Sequence, residues 1–177
     1  MMMKTIFAGF GGQGVLMMGY SLANAAMLEG LHVTYLPSYG VEVRGGTANC
    51  TVAISDEEIA SPVASAPDYL VTLNAPSLFT FQNKVVTGGG IFINSSIVQE
   101  KTTRKDIECF RIPAGELAER LGEPRAANII MLGAYLKKTG LISADTYLKS
   151  LKLIMGERRK AVMEINKKAF TAGHDLF

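Results

Sequence analysis

"FAGFGGQGV", Phe7–Val15, packs four glycines and one glutamine into the six residues from Gly9 to Gly14. Ahead of it, Thr5–Ala8 is short, apolar and partly β-branched, the composition of a buried first strand. Behind it, Val15–Glu29 strings together good helix formers until Gly30, a natural C-terminal stop. Apolar residues go most of the way round this helix, which calls for cover on more than one side. His32–Leu36 then supplies a second strand. The right-handed crossover rule turns this strand, glycine turn, helix and strand into a parallel pair.

Further along, Pro37–Gly46 ("PSYGVEVRGG") is polar and glycine-punctuated, a loop rather than core. Thr47–Ile54 alternates, with Ala48, Cys50, Val52 and Ile54 on one face. Tyr69–Asn74, Ile91–Asn94 and Ile107–Ile112 read as three more strands, with a tight turn at Gly88–Gly90. After Pro113 the pattern becomes helical over Ala114–Leu121, Arg125–Thr139, Ala144–Met155 and Glu157–Thr171. The expected fold is one α/β domain over residues 1–177: a Rossmann-like layer sandwich with a mostly parallel sheet and a helical C-terminal third.

The totals set limits on function. Hydrophobic residues are 48% and charged residues 19% of the 177, an apolar excess that points to surface buried against partners. Eighteen basic against sixteen acidic residues leave a net charge of +2, which gives no general pull toward nucleic acid or acidic membranes. Cys50 and Cys109 are far apart and form no CxxC pair, so this chain alone builds neither an iron–sulfur nor a zinc site. Two isolated thiols fit a reducing, cytoplasmic compartment. Met1–Val15 is broken by glycines too early for a secretion signal, and no apolar run approaches the roughly 20 residues that span a bilayer.

Gly9, Gly11 and Gly14 satisfy G-x-G-x-x-G between a strand and a helix. Backbone N–H groups at such a helix start attract a phosphate or carboxylate. The alternative is that the glycines only permit a tight turn and close helix-to-strand packing. An NAD site needs an acidic residue near the end of the second strand, where this chain has Leu36, Pro37 and Ser38, while Glu29 precedes the strand. An NADP site would want an arginine there, and Arg44 comes late.

Arg44, followed by Gly45 and Gly46, could present its guanidinium to an anion, or it could brace the loop through Glu42 or a carbonyl. Both loops follow strands at their carboxyl ends, where open α/β sheets bind ligands. A shared site is therefore expected, with Gly9, Gly11, Gly12, Gln13 and Gly14 on one wall and Ser38, Tyr39, Glu42, Arg44, Gly45 and Gly46 on the other. The two histidines, His32 and His174, offer no triad, and Cys50 on its alternating strand face reads as a small buried apolar residue.

"GFGGQGV" (Gly9–Val15), "PSYGVEVRGGTANCTVAIS" (Pro37–Ser55), "DYLVTLN" (Asp68–Asn74) and "EINKKAFTAG" (Glu164–Gly173) resemble, in order and spacing, the gamma subunit or gamma domain of 2-oxoacid:ferredoxin oxidoreductases. The likeness covers essentially the whole chain. It implies a multisubunit enzyme that oxidatively decarboxylates a 2-oxoacid, joins the acyl group to coenzyme A and passes two electrons to ferredoxin. It also implies thiamine diphosphate on alpha and beta subunits and iron–sulfur clusters on beta and a ferredoxin-like delta subunit, with no catalytic residue and no cofactor held by this chain alone. Its role would be assembly and the approach of coenzyme A or substrate, with Gly11–Gly14 and Arg44 near the interface. The loop from Pro37 is closer to 2-oxoglutarate and branched-chain members than to pyruvate members. A small nicotinamide-dependent reductase and a pure assembly module are the competing readings, and an isolated chain could self-associate through its orphaned interface.

Overall fold

The computed structural model describes residues 1–40, 46–156 and 160–177. Its six strands are β1 (Met2–Phe10), β2 (His32–Tyr39), β3 (Thr47–Ser55), β4 (Tyr69–Thr72), β5 (Gly90–Asn94) and β6 (Glu108–Ile112). Its helices are α1 (Val15–Leu28), α2 (Ala75–Phe81), α3 (Ala114–Arg120), α4 (Ala127–Thr139), α5 (Ala144–Met155) and α6 (Lys160–His174). They form the expected layered α/β fold, with one mixed sheet in the order β2-β3-β1-β4-β5-β6 and a helical C-terminal region. Among the described residues, no helix is long and apolar enough to cross a membrane.

β1, β4, β5 and β6 pair in parallel, while β3 runs antiparallel to both β1 and β2. β1 and β2 therefore share a direction but are not neighbours, which corrects the expectation of a parallel pair. The long hairpin β2–β3 is the reason. β3 pairs with β1 along its whole length, from Met2 opposite Ser55 to Phe10 opposite Thr47, and displaces β2 to the edge. Pro37–Tyr39 belongs to β2 rather than to the loop. At a sheet edge, a residue without an N–H costs no ladder bond, so Pro37 continues the strand.

Period-2 alternation splits the core. Phe7 packs with Val71, Phe92 and the helices α1 and α4, whereas Ile6 and Ala8 point to the other face with Leu70, Ile91 and Leu78 of α2. Tyr135 of α4 anchors the first face. Its ring meets Phe7, Tyr69 and Phe92 edge-on at centroid distances of 5.8, 5.9 and 5.5 Å. Its buried hydroxyl is paired with Thr5 Oγ1 at 2.7 Å, so the polar tip is not left unsatisfied. Tyr147 of α5 repeats the device, stacking on Phe170 at 4.7 Å and reaching Ser21 of α1.

The "EINKKAFTAG" motif has a packing explanation. α6 lies against α4 so closely that a Cβ at Gly173 would run into the carbonyl of Ile130, and one at Gly133 into the carbonyl of Phe170. Alanine in mid-helix is worth about 1 kcal/mol over glycine. Overpacking costs about 1–3 kcal/mol, and backbone carbonyls cannot swing aside as a flexible side chain can. The second effect should win. Gly173→Ala is predicted to lower stability by about 1 kcal/mol, the overpacking cost less the propensity gain, read as a reduced urea midpoint at unchanged slope.

Candidate functional site

The carboxyl ends of β1 and β2 lie on the same sheet edge, as the sequence reading required. The glycine loop touches the hairpin, the Gly11 N–H donating to the Gly46 carbonyl at 2.8 Å; within the hairpin, the Gly40 N–H donates to the Thr47 carbonyl at 3.1 Å. Glu42, Arg44 and Gly45 lie outside the described residues.

Two backbone positions shape the glycine loop. Gly14 sits at the start of α1 with φ 76°, and Gly12 at φ 103°, both in the left-handed region that disfavours other residues. Gly14 also abuts the Asn128 side chain, which donates to the Gly14 carbonyl at 3.3 Å and ties the loop to α4. Gly9 permits close approach, since a Cβ there would lie 2.9 Å from Val15 and 3.1 Å from Leu73. These positions do the packing work that the structural alternative proposed.

Gln13 is engaged at both ends of its amide. Its Oε1 accepts from the Phe10 N–H at 2.7 Å, and its Nε2 donates to the Leu73 carbonyl at 3.1 Å. Leu73 follows β4, so the side chain bridges the ends of β1 and β4. The connections out of β1 and β4 leave in opposite directions along the sheet, which makes this the crevice where doubly wound folds seat nucleotides. Here the crevice is closed by Gln13. In addition, β3 separates β2 from β1, which sets the end of β2 two strand spacings, about 10 Å, from β1. A dinucleotide fingerprint relies on a neighbouring second strand to reach the ribose, and this chain lacks that arrangement.

The opening lies to the other side of the loop. A cleft of about 540 Å³ is lined by Gly11, Gly12, Gly14, Met17, Tyr39 and neighbouring apolar residues. The N-cap of α1 is Gly14, which has no side chain to offer the first-turn N–H groups. Among the described residues the first-turn N–H groups of Val15, Leu16 and Met17, which line this cleft, have no hydrogen-bond acceptor, and they carry the positive end of the helix dipole. Tyr39 is exposed beside them, and Ser38 points to the opposite sheet face by alternation. Of the expected residues, Gly11, Gly12, Gly14 and Tyr39 come together around the cleft, and Gly46 supports it. Gly9 and Gln13 instead hold the loop in place. Ala48 and Met17, which were not candidates, complete the lining. Ala48 shows up in sequence only once β3 is known to neighbour β1.

Cys50 lies under α1, fully buried, with its thiol 3.6 Å from the Val15 carbonyl. Burial pushes that thiol up to about 12. It is therefore an inert apolar side chain at neutral pH, as the alternation implied. Because its folded pKa lies above the ordinary thiol value of 9.0, its contribution to stability is complete below pH 9 and is lost as pH rises toward 12. Burial raises Tyr135 and Tyr147 in the same direction.

Two outcomes follow from this geometry. Gln13→Ala should cost about 1 kcal/mol in urea unfolding, because the Phe10 N–H and Leu73 carbonyl lose their partner, whereas a side chain facing only solvent or ligand would cost nothing. With a thiol reagent at pH 8, the native chain should titrate exposed Cys109 and spare Cys50, both reacting after denaturation; melting temperature should hold to pH 9 and fall above it.

Residues 4–176 match the family described as pyruvate ferredoxin/flavodoxin oxidoreductase. The chain is 41% identical over 168 residues to the ketoisovalerate oxidoreductase subunit VorA of Methanothermobacter thermautotrophicus, covering 94% of this chain and 34% of that one. It thus spans about a third of the length of that relative. With the 2-oxoglutarate synthase subunit KorC of Methanothermobacter marburgensis it shares 36% identity over 178 residues, covering 96% of this chain and 93% of that one. Among solved structures, the gamma subunit of a keto/oxoacid ferredoxin oxidoreductase from Geobacter sulfurreducens superposes with a TM-score of 0.83 at 28% identity, covering 98% of this chain and 96% of that one. The glycine loop, the hairpin that follows it and the α4–α6 packing are thus those of a member of the pyruvate ferredoxin/flavodoxin oxidoreductase family, to which this chain belongs.

Proposed function

We propose that this chain is the gamma component of a 2-oxoacid:ferredoxin oxidoreductase, working with alpha, beta and delta subunits. The complex would oxidatively decarboxylate a 2-oxoacid, form the acyl-coenzyme A and reduce ferredoxin. Thiamine diphosphate and iron–sulfur clusters would reside on the partners; Cys50, locked under α1, is unsuited to ligate a cluster. The family match and the gamma-subunit likeness support this reading.

Within the complex, the cleft beside the glycine loop would form one wall of the coenzyme A approach. The observation that carries this assignment is the α1 N-terminus, which starts at Gly14 with no capping hydrogen bond from its own N-cap residue and lines an apolar cleft. Amide N–H groups at a helix start suit a phosphate, and the apolar lining with Tyr39 suits an uncharged arm beside it. Coenzyme A has both parts, so the residues present fit it. It would supply the thiol that accepts the acyl group; the chain's own residues would bind and orient it. Arg44, from the same hairpin loop, is the proposed cationic partner.

For the 2-oxoacid we propose 2-oxoglutarate, on the sequence of the loop from Pro37 and the likeness to KorC. The higher identity to VorA favours a branched-chain 2-oxoacid as the second reading. Steady-state assays of the assembled complex test both points. Tyr39→Ala and Arg44→Ala should each raise the KM for coenzyme A roughly fivefold, the equivalent of about 1 kcal/mol, with kcat for 2-oxoglutarate little changed. An unchanged KM in both variants removes this wall from the coenzyme A path, and turnover of 3-methyl-2-oxobutanoate alone selects the second reading.

A further inference from the structure

The 14 residues of α1, "VLMMGYSLANAAML", carry no charged side chain, in a chain where 19% of residues are charged. At about 100° per residue, burial on this helix sorts by angle. Its eight buried residues fill an arc of about 200°, packed on the sheet and α5. The other six, Leu16, Met17, Tyr20, Asn24, Met27 and Leu28, fall within one stripe of about 120° on the outer side. Met27 is 64% exposed there. Asn24 is the one amide on the stripe, and its Nδ2 donates to the Tyr20 carbonyl at 2.8 Å, a bond within the helix. The stripe starts in the cleft beside the glycine loop, which Leu16 and Met17 line. It ends at Leu28, which shares a hollow with exposed Leu153 of α5. A helix face turned to water carries charge, whereas an apolar stripe of this kind marks a surface that another protein covers.

Chemistry and size narrow the occupant. With no charge on the stripe, a phosphate backbone or a strongly charged segment gains nothing by lying on it. From Leu16 to Leu28 the stripe is about 18 Å long and about 10 Å wide, roughly 180 Å². A stable interface buries about 800 Å² on each side, so two copies meeting stripe on stripe fall well short, and the occupant must run on over the cleft and the Leu153 hollow. The relatives point to such a body. This domain makes up about a third of VorA and nearly all of KorC, so VorA carries about two-thirds of its length in the same polypeptide as the domain. Where that larger region is a separate chain, only a surface contact can hold it to the domain. We propose that the α1 stripe docks the separate subunit corresponding to the part of VorA beyond this domain, through an apolar and uncharged face of that subunit. This inference rests on the oxidoreductase reading and extends it, because a subunit seated on Leu16 and Met17 also walls the proposed coenzyme A cleft.

The test is retention of that subunit by the tagged chain after co-expression of the whole complex, with each retained subunit identified by mass spectrometry and thiamine diphosphate assayed alongside. The wild-type chain should retain a subunit that aligns with the region of VorA beyond this domain. Met27→Lys should lower its retention at least tenfold, while Phe79→Lys should leave it unchanged, since Phe79 is similarly exposed but lies on α2, across the sheet. Both side chains face solvent in the isolated chain, so the melting temperatures of the two variants should match the wild type. Full retention by Met27→Lys, or equal loss in both variants, would overturn the assignment of this face and leave the oxidoreductase reading standing. A wild-type chain that retains no such subunit would overturn both. An isolated wild-type chain that is dimeric, and monomeric as Met27→Lys, would overturn the proposal in favour of a second copy of this chain.

Discussion

The amide of Gln13 holds the functional edge of this fold together. A chain that leaves β1 and immediately starts α1 must turn within four residues, which leaves the Phe10 N–H without a ladder partner. Gln13 supplies that acceptor and spends its donor on the carboxyl end of β4. One side chain thereby satisfies two backbone groups and closes the crevice between diverging connections. On the hairpin side, the start of α1 shares a cleft with Tyr39 and Ala48.

The same constraint separates this domain from the dinucleotide folds its motif resembles. Those folds place β2 beside β1 so that one acidic residue reaches the ribose. Here β3 occupies that position, and nine paired residues commit it there. The glycines keep their physical roles of tight turn, close approach and exposed amides. Under the proposed function, a ligand of this loop would enter from the hairpin side.

Much of this was legible in the sequence because the relevant physics is local. α5 was read with its observed bounds, since Ser143 caps it through the Thr146 N–H and Gly156 ends it. The alternation of Ala48, Cys50, Val52 and Ile54 marks one face of β3, and Cys50, Val52 and Ile54 of that face pack in the core with α1. α2 was missed. "APSLFTF" has no polar face, yet Asn74 accepts from the Ser77 N–H and Pro76 sits in the first turn, a start signal that the sequence carried in plain form. Strand neighbours are a different matter. Crossover handedness says how β1 and β2 are oriented, not that a later hairpin strand will insert between them. Likewise, the amide of Gln13 looks like a ligand contact until Leu73 is known to lie beside it. Buried hydroxyl pairs such as Tyr135 with Thr5, 130 residues apart, have no local signature at all.

On the proposed function, this chain acts as one component of a larger oxidoreductase and not as a nicotinamide enzyme by itself. Native co-purification through a tag on this chain, with thiamine diphosphate, iron and bound NADH assayed in the eluate, tests it most directly. Co-elution with larger subunits that carry thiamine diphosphate and iron, and no NADH binding by the isolated chain, is the predicted result. A chain that elutes alone and binds NADH would instead be a nicotinamide enzyme in its own right.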